Sequence, residues 1–178
     1  MGVNGLAGLW GLAEATCFFI VPDVWLSTAG RKILRIGLVA CVYSLVGALI
    51  GGLLMFFWGV YDQISANEFL ERIPAINIEM INRVNDDLTV KGLIAVVLGP
   101  LSGTPYKIYA VQAGELGISV WGFMLVSIPA RLIRFILVTM FFHYSLKIVN
   151  RVISEKHNIK ILLISWLAFY VFYFVVKV

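Results

Sequence analysis

Five ionisable residues are embedded in apolar sequence: Glu14, Asp23, Lys107, Arg131 and Arg134. A charged side chain near the middle of a membrane costs ~2.5 to 3.5 kcal/mol on insertion scales, so each of them needs a partner or a task. Glu14 is a candidate proton carrier. An acid at that depth can take up and release a proton as a cavity opens to either side, coupling movement to a proton gradient; the alternative is an ion pair or hydrogen bond that closes a hairpin. Asp23 follows Pro22 and suits a first helical turn, as a cap, a dipole partner or a binding group. Arg131 and Arg134 stand three residues apart, on one helix face just after Pro129. Guanidinium forks match phosphate oxygens, although such arginines also snorkel to an interface or pair with acids. Lys107, two residues after Pro105, falls in an early turn where a cation is unfavourable unless an anion joins it, and it could equally pair with Glu14 or Asp23. The residue types therefore predict a phosphate-binding set, Lys107, Arg131 and Arg134, beside a proton-coupling set, Glu14 and Asp23.

Other chemistries lack their residues. His143 and His157 have no metal-ligand spacing, and Cys17 and Cys41 form no CxxC and read as small buried hydrophobes. No nucleophile-base-acid set or Gly-rich phosphate loop can be assembled, so neither an enzyme nor a cofactor nor a metal is expected. The formal charge of +4 does not point to nucleic acid, because the basic residues flank or interrupt apolar segments and form no long run. The first basic residue is Arg31, and Leu6 stands where a myristoylation signal needs Ser or Thr. The apolar N-terminal stretch is therefore expected to persist in the mature protein.

The elements that must position these groups belong to a membrane protein: 61% of the 178 residues are hydrophobic and the mean hydropathy is +0.94, too apolar for an ordinary soluble domain. Residues 36–58 form an uncharged run of 23, about 34 Å long as a helix, which crosses a ~30 Å hydrocarbon core. Its Ser44, Gly47 and Gly51 make a small-residue face that another backbone can approach. Residues 117–144 hold a second spanning length, interrupted by Pro129, Arg131 and Arg134. Residues 161–178 hold a third, anchored by Lys160 and Lys177. Residues 61–91 are the one polar region and read as an amphipathic connector. There Pro74 can open a helix that carries Ile76, Met80, Val84 and Leu88 on one face and pairs Glu79 with Arg83 on the other. Trp10, Trp25, Trp58, Tyr61, Trp121 and Tyr144 fall near segment ends as interfacial anchors.

Two further apolar segments, 3–30 and 92–116, are broken by proline and glycine near their middles. "VPDVWLSTAG" and "TPYKIYAVQAG" form a weak internal repeat, each with a proline, a nearby charge, an apolar stretch and an Ala-Gly. Pro22, Gly30, Pro105 and Gly114 are the expected hairpin breakers. Paired interruptions of this kind point to an inverted-repeat transporter whose hairpins meet at a polar cavity. Charge supports the arrangement. If 1–30 and 92–116 are re-entrant, the basic loops 31–35 and 145–160 share one side, expected to be cytoplasmic, and the acidic 61–91 connector lies on the other. The fold class predicted is an all-α integral membrane protein, an inverted repeat of two re-entrant helical hairpins plus about three transmembrane helices.

"GLAEATCFFIVPDVWL" resembles the first hairpin of DedA-like, VTT-domain membrane proteins. "SGTPYKIYAVQAGELGISVWGFMLVSIPARLIRF" is similar to the second half of their small YqaA-type branch. The resemblance spans roughly residues 8–145. It implies the inverted-repeat fold and a lipid-handling role: bacterial members are associated with recycling undecaprenyl phosphate across the inner membrane, and eukaryotic relatives look like phospholipid scramblases. In place of the Arg-Phe/Tyr-x-Pro-x-x-Arg signature that many members carry, this chain has "LGPLSGTPYK", with Lys107 as its cation. The expected function is translocation of a lipid phosphate, polyprenyl phosphate or phospholipid, in a bacterial inner membrane. Membrane lipids are the expected partners, and homo-oligomerisation is left open. The alternatives are a small ion or solute transporter and a non-transporting membrane scaffold.

Overall fold

The structure is a computed structural model that describes residues 2–99, 103–150 and 157–177. Arg151, Glu155 and Lys156 of the expected basic loop, residues 100–102 of the second interrupted segment and the Lys177 side chain lie outside the described residues. Among the described residues every regular element is a helix: α1 (Val3–Thr16), α2 (Asp23–Gly30), α3 (Leu34–Tyr61), α4 (Gln63–Glu71), α5 (Ile78–Lys91), α6 (Ile94–Leu98), α7 (Tyr106–Glu115), α8 (Val120–Val149) and α9 (Asn158–Lys177). Three of them, α3, α8 and α9, are long and apolar enough to cross a membrane, with mean hydropathies of 2.3, 1.8 and 1.8. That is the composition of an integral membrane protein.

The helix α3 is the spine, and small residues let its neighbours reach it. Gly47 lies so close to the Gly8 carbonyl that a side chain there would strike backbone. Ser44 Oγ donates to the Ala7 carbonyl at 2.9 Å. Gly51 rests on Ala15, so α1 runs parallel to α3 from its start to its middle. The small-residue face is thus occupied from within the chain, by α1. After a turn through residues 17–22, α2 returns, and Gly30 packs on Gly37 near the start of α3. At the other end, Gly59 and Gly114 bring α7 against α3 with the same lack of room. Tyr106 at the start of α7 meets Gly52, so α7 runs from the middle of α3 toward its end. The helix α8 is antiparallel to α3: Phe123 lies 5.4 Å from Phe56 between ring centroids, and Thr139 Oγ1 is 3.3 Å from Cys41 Sγ. The helix α2 packs on α8, and α6 packs on α8 as well.

Gly47→Ala is expected to push α1 off α3. Overpacking a tight contact costs about 1–3 kcal/mol, read as a lowered midpoint of thermal unfolding in detergent.

Some local expectations are corrected. The connector is two helices, and Pro74 does not open the second. It lies in the intervening turn, beside Ala75 at φ 65°. The opening residue is Asn77, whose Oδ1 accepts the Met80 N–H at 2.9 Å and satisfies an otherwise unpaired donor. The expected stripe Ile76, Met80, Val84 and Leu88 is buried, against α6 and α7. Gly114 does not break a helix: it lies inside α7, against the Phe56 carbonyl, and the left-handed residue is Gly117, at φ 63°. Gly30 is the last residue of α2, so that helix does end at the expected glycine, which also packs on Gly37. Cys17 is exposed at the end of α1, whereas Cys41 is buried.

Candidate functional site at the helix turns

The five charged residues come from four helices. Glu14 lies in the last turn of α1, Asp23 in the first turn of α2, Lys107 in the first turn of α7, and Arg131 and Arg134 one turn apart near the middle of α8. Each acid faces an arginine across more than 100 residues of sequence. Arg131 Nη2 bonds Glu14 Oε2, and Nη1 lies 3.4 Å from Oε1, a two-pronged pair with both partners buried. Arg134 Nη2 donates to Asp23 Oδ2 at 2.6 Å. Lys107 pairs with neither acid directly: its Nζ donates to the Phe18 carbonyl at 2.7 Å, tying the start of α7 to the turn between α1 and α2. The two interrupted segments therefore meet, as the expected sharing of a site requires.

Aromatic rings complete the setting of Arg131. Its guanidinium carbon lies 4.6 Å from the Tyr106 ring centre and 5.0 Å from that of Phe135. Such contacts are worth ~0.5–2 kcal/mol, the upper part of the range applying when the cation is desolvated. The Tyr106 ring is held in turn, its hydroxyl donating to Ser127 Oγ at 2.9 Å and Ser127 donating to the Phe123 carbonyl at 2.8 Å. Two polar atoms of the cluster remain without a hydrogen-bond partner, Arg131 Nε and Asp23 Oδ1, both buried. An unmatched buried polar atom costs ~1–3 kcal/mol.

Beside the cluster lies a cavity of about 640 Å³, within the ~300–1,000 Å³ range of small-molecule sites. Glu14, Asp23, Lys107 and Arg134 line its charged part. Its remaining wall is largely aromatic, with Phe18 and Phe19 from the first turn, Phe142 from α8 and Trp166, Phe169 and Tyr170 from α9. Arg131, which sequence reasoning grouped with the phosphate ligands, is not on this wall; it stands behind Glu14 with its side chain fully enclosed. Among the described residues the cluster sets three basic side chains against two carboxylates.

Sequence reasoning missed Tyr106 and Tyr170. Tyr106 stands next to Lys107 in the Pro-Tyr-Lys motif, a signal that was available. Tyr170 accepts the Val21 N–H at 2.8 Å, and in a run of aromatic residues nothing set it apart. His143 Nδ1 donates to the Gly30 carbonyl at 2.8 Å and joins the ends of α2 and α8. Glu115 Oε2 accepts from Asn67 Nδ2 at 3.4 Å. Among the described residues no group of three or more His, Cys, Asp or Glu could hold a metal ion.

Compared with known family models, curated proteins and solved structures, the chain matches none.

Proposed function

We propose that this chain is a transporter of the DedA or VTT-domain type, closest to the small YqaA-like branch, that moves a lipid phosphate across the bilayer. The observation that carries the reading is the gathering of Glu14 and Asp23 from the first interrupted segment, Lys107 from the second and Arg134 from α8 on the wall of one cavity, with Arg131 behind Glu14. In this reading α1–α2 and α6–α7 are opposed re-entrant hairpins of an inverted repeat. Supporting it, α1 packs on α3 as far as its middle and α2 returns to its start, where Gly30 meets Gly37, while α7 runs from the middle of α3 to its far end. Each returning helix also packs on the long helix of the other half, α2 on α8 and α7 on α3.

Arg134 and Lys107 bind the phosphate in this reading, because both are cations on the cavity wall. Arg131 acts from behind, holding Glu14. When the phosphate draws Arg134 from Asp23, or when Glu14 takes a proton, the pairing rearranges and the cluster can open to the other side. That step would couple lipid movement to protons. The chain is assigned to a bacterial inner membrane with its basic ends cytoplasmic. Arg31, Lys32 and Arg35 precede or begin α3, and Lys147 ends α8, at the end of the bundle where Gly30 meets His143.

Binding of octyl phosphate to the purified protein tests the headgroup assignment. Arg134→Gln is expected to weaken it at least tenfold, since a hydrogen bond to a charged group is worth ~1.5–3 kcal/mol. Unchanged binding in that variant, or equal binding of octanol and octyl phosphate, contradicts the assignment. Uptake of small ions or solutes without lipid movement would favour the solute transporter, and no flux of either kind the scaffold.

A further inference from the structure

The cavity is not closed on the side of α8 and α9. Leu137, Phe141 and Phe169 line it and are nevertheless 61%, 65% and 49% exposed, so these residues form a rim through which the cavity opens to the outside. Along α8, Leu137 and Phe141 stand only about 4 and 10 Å from the helix midpoint. With the midpoint of α8 at the centre of a ~30 Å hydrocarbon core, that opening meets lipid chains and not water.

Its wall is graded. At the inner end are the charges, with Asp23 Oδ1 unpartnered and buried. At the open rim is Phe169, and the half-buried Phe142, Trp166 and Tyr173 share the wall. Tyr170 also stands on the wall: its Oη accepts from Val21 N–H, two residues before Asp23, and its own O–H proton has no acceptor among the described residues. The helix α9 is pinned beside this wall by few polar bonds, Val21 N–H to Tyr170 Oη and Trp166 Nε1 to Ser27 Oγ at 3.0 Å. Aromatic contacts of Phe19 with Tyr170 and Phe174 add to them. The shape is that of an amphiphile, polar at one end and apolar at the other.

We infer that the opening between α8 and α9 is a lipid-tail subsite: the phosphate sits at Lys107 and Arg134, Tyr170 donates at the junction, and the tail leaves sideways past Leu137, Phe141 and Phe169. The inference rests on the headgroup reading above, and α9 lies beyond the stretch that carries the family resemblance. A volume of about 640 Å³ holds a headgroup and the first part of a chain. The side exit removes any upper limit on the rest, so short and long tails are accepted alike provided that a phosphate leads them.

The test uses the full-length protein in phosphatidylcholine vesicles with an alkyl phosphate that carries a diazirine in its tail. After illumination the adducts are mapped by mass spectrometry, and translocation is measured in the same vesicles. Adducts are expected on Leu137, Phe141, Phe169 and Tyr173, reduced at least tenfold by excess unlabelled octyl phosphate and not by octanol. Adducts spread evenly over the lipid-facing sides of α3 and α8, or displaced equally by octanol, overturn the subsite. Movement of the lipid without adducts at the rim overturns the subsite and leaves the transport reading standing. Competed adducts at the rim without movement support the subsite and overturn the transport reading. Leu137→Trp, which narrows the rim without adding charge, is expected to lower the competed adducts at least tenfold, and undiminished labelling in a folded variant also counts against the subsite.

Discussion

Arg131→Ala is expected to be the most damaging single substitution in this chain. It would destabilise the fold by about 3–5 kcal/mol, the cost of breaking a buried ion pair by deleting one partner. The damage has three parts. Glu14, buried at 3% exposure, would keep a charge with no fork to face it. The rings of Tyr106 and Phe135 would lose the cation that they flank. An empty space would replace one of the largest fully buried side chains. The measurement is the midpoint of thermal unfolding of the purified protein in detergent, followed by tryptophan fluorescence. A double variant, Glu14→Gln with Arg131→Met, removes both charges and keeps much of the volume. It is expected to recover most of the stability, because replacing a buried pair with neutral groups is often close to neutral, yet to remain inactive. Recovery of transport in that variant would show that the pair only holds the fold.

The second large effect separates function from folding. Lys107→Met is expected to lower lipid translocation at least tenfold while costing only about 1.5–3 kcal/mol of stability, the value of one charge-assisted hydrogen bond. Lys107 makes that single bond, to the Phe18 carbonyl, and a methionine of similar length fills the same apolar path. The loss falls on transport because Lys107 is the cation that the α7 side contributes to the cavity wall. Its amine both joins the two turns and offers its remaining protons to a phosphate. Unfolding in detergent and translocation in vesicles, measured on one preparation, check the two halves of this expectation. A variant that folds and transports like the parent would remove Lys107 from the site.

How far the sequence alone reaches can be judged residue by residue. The three long apolar helices were legible because length and hydropathy are local properties. The runs 36–58, 117–144 and 161–178 became α3, α8 and α9, with their ends shifted by a few residues. The five charges were legible as a set because each is costly in apolar sequence, whatever its partner. The pairing itself was not. Arg131 and Arg134 follow each other on one helix, so both looked like phosphate ligands, and only the folded arrangement encloses the first between Glu14 and the rings of Tyr106 and Phe135 and leaves the second on the cavity wall. Gly114 was misread because a glycine beside a helix end looks the same whether it supplies a turn or makes room for the Phe56 carbonyl. Tyr170 was invisible because its hydrogen bond is with the backbone of a turn 149 residues away.

The central claim is that the charged cavity moves a lipid phosphate from one side of the bilayer to the other. It is tested most directly by following transbilayer movement of a labelled alkyl or prenyl phosphate in vesicles containing the purified protein, with and without an imposed pH gradient. The account expects movement well above that of protein-free vesicles, faster with the gradient, and reduced to the protein-free level by Glu14→Gln in a preparation that remains folded. Movement no faster than in protein-free vesicles, or undiminished in the folded Glu14→Gln protein, would contradict it.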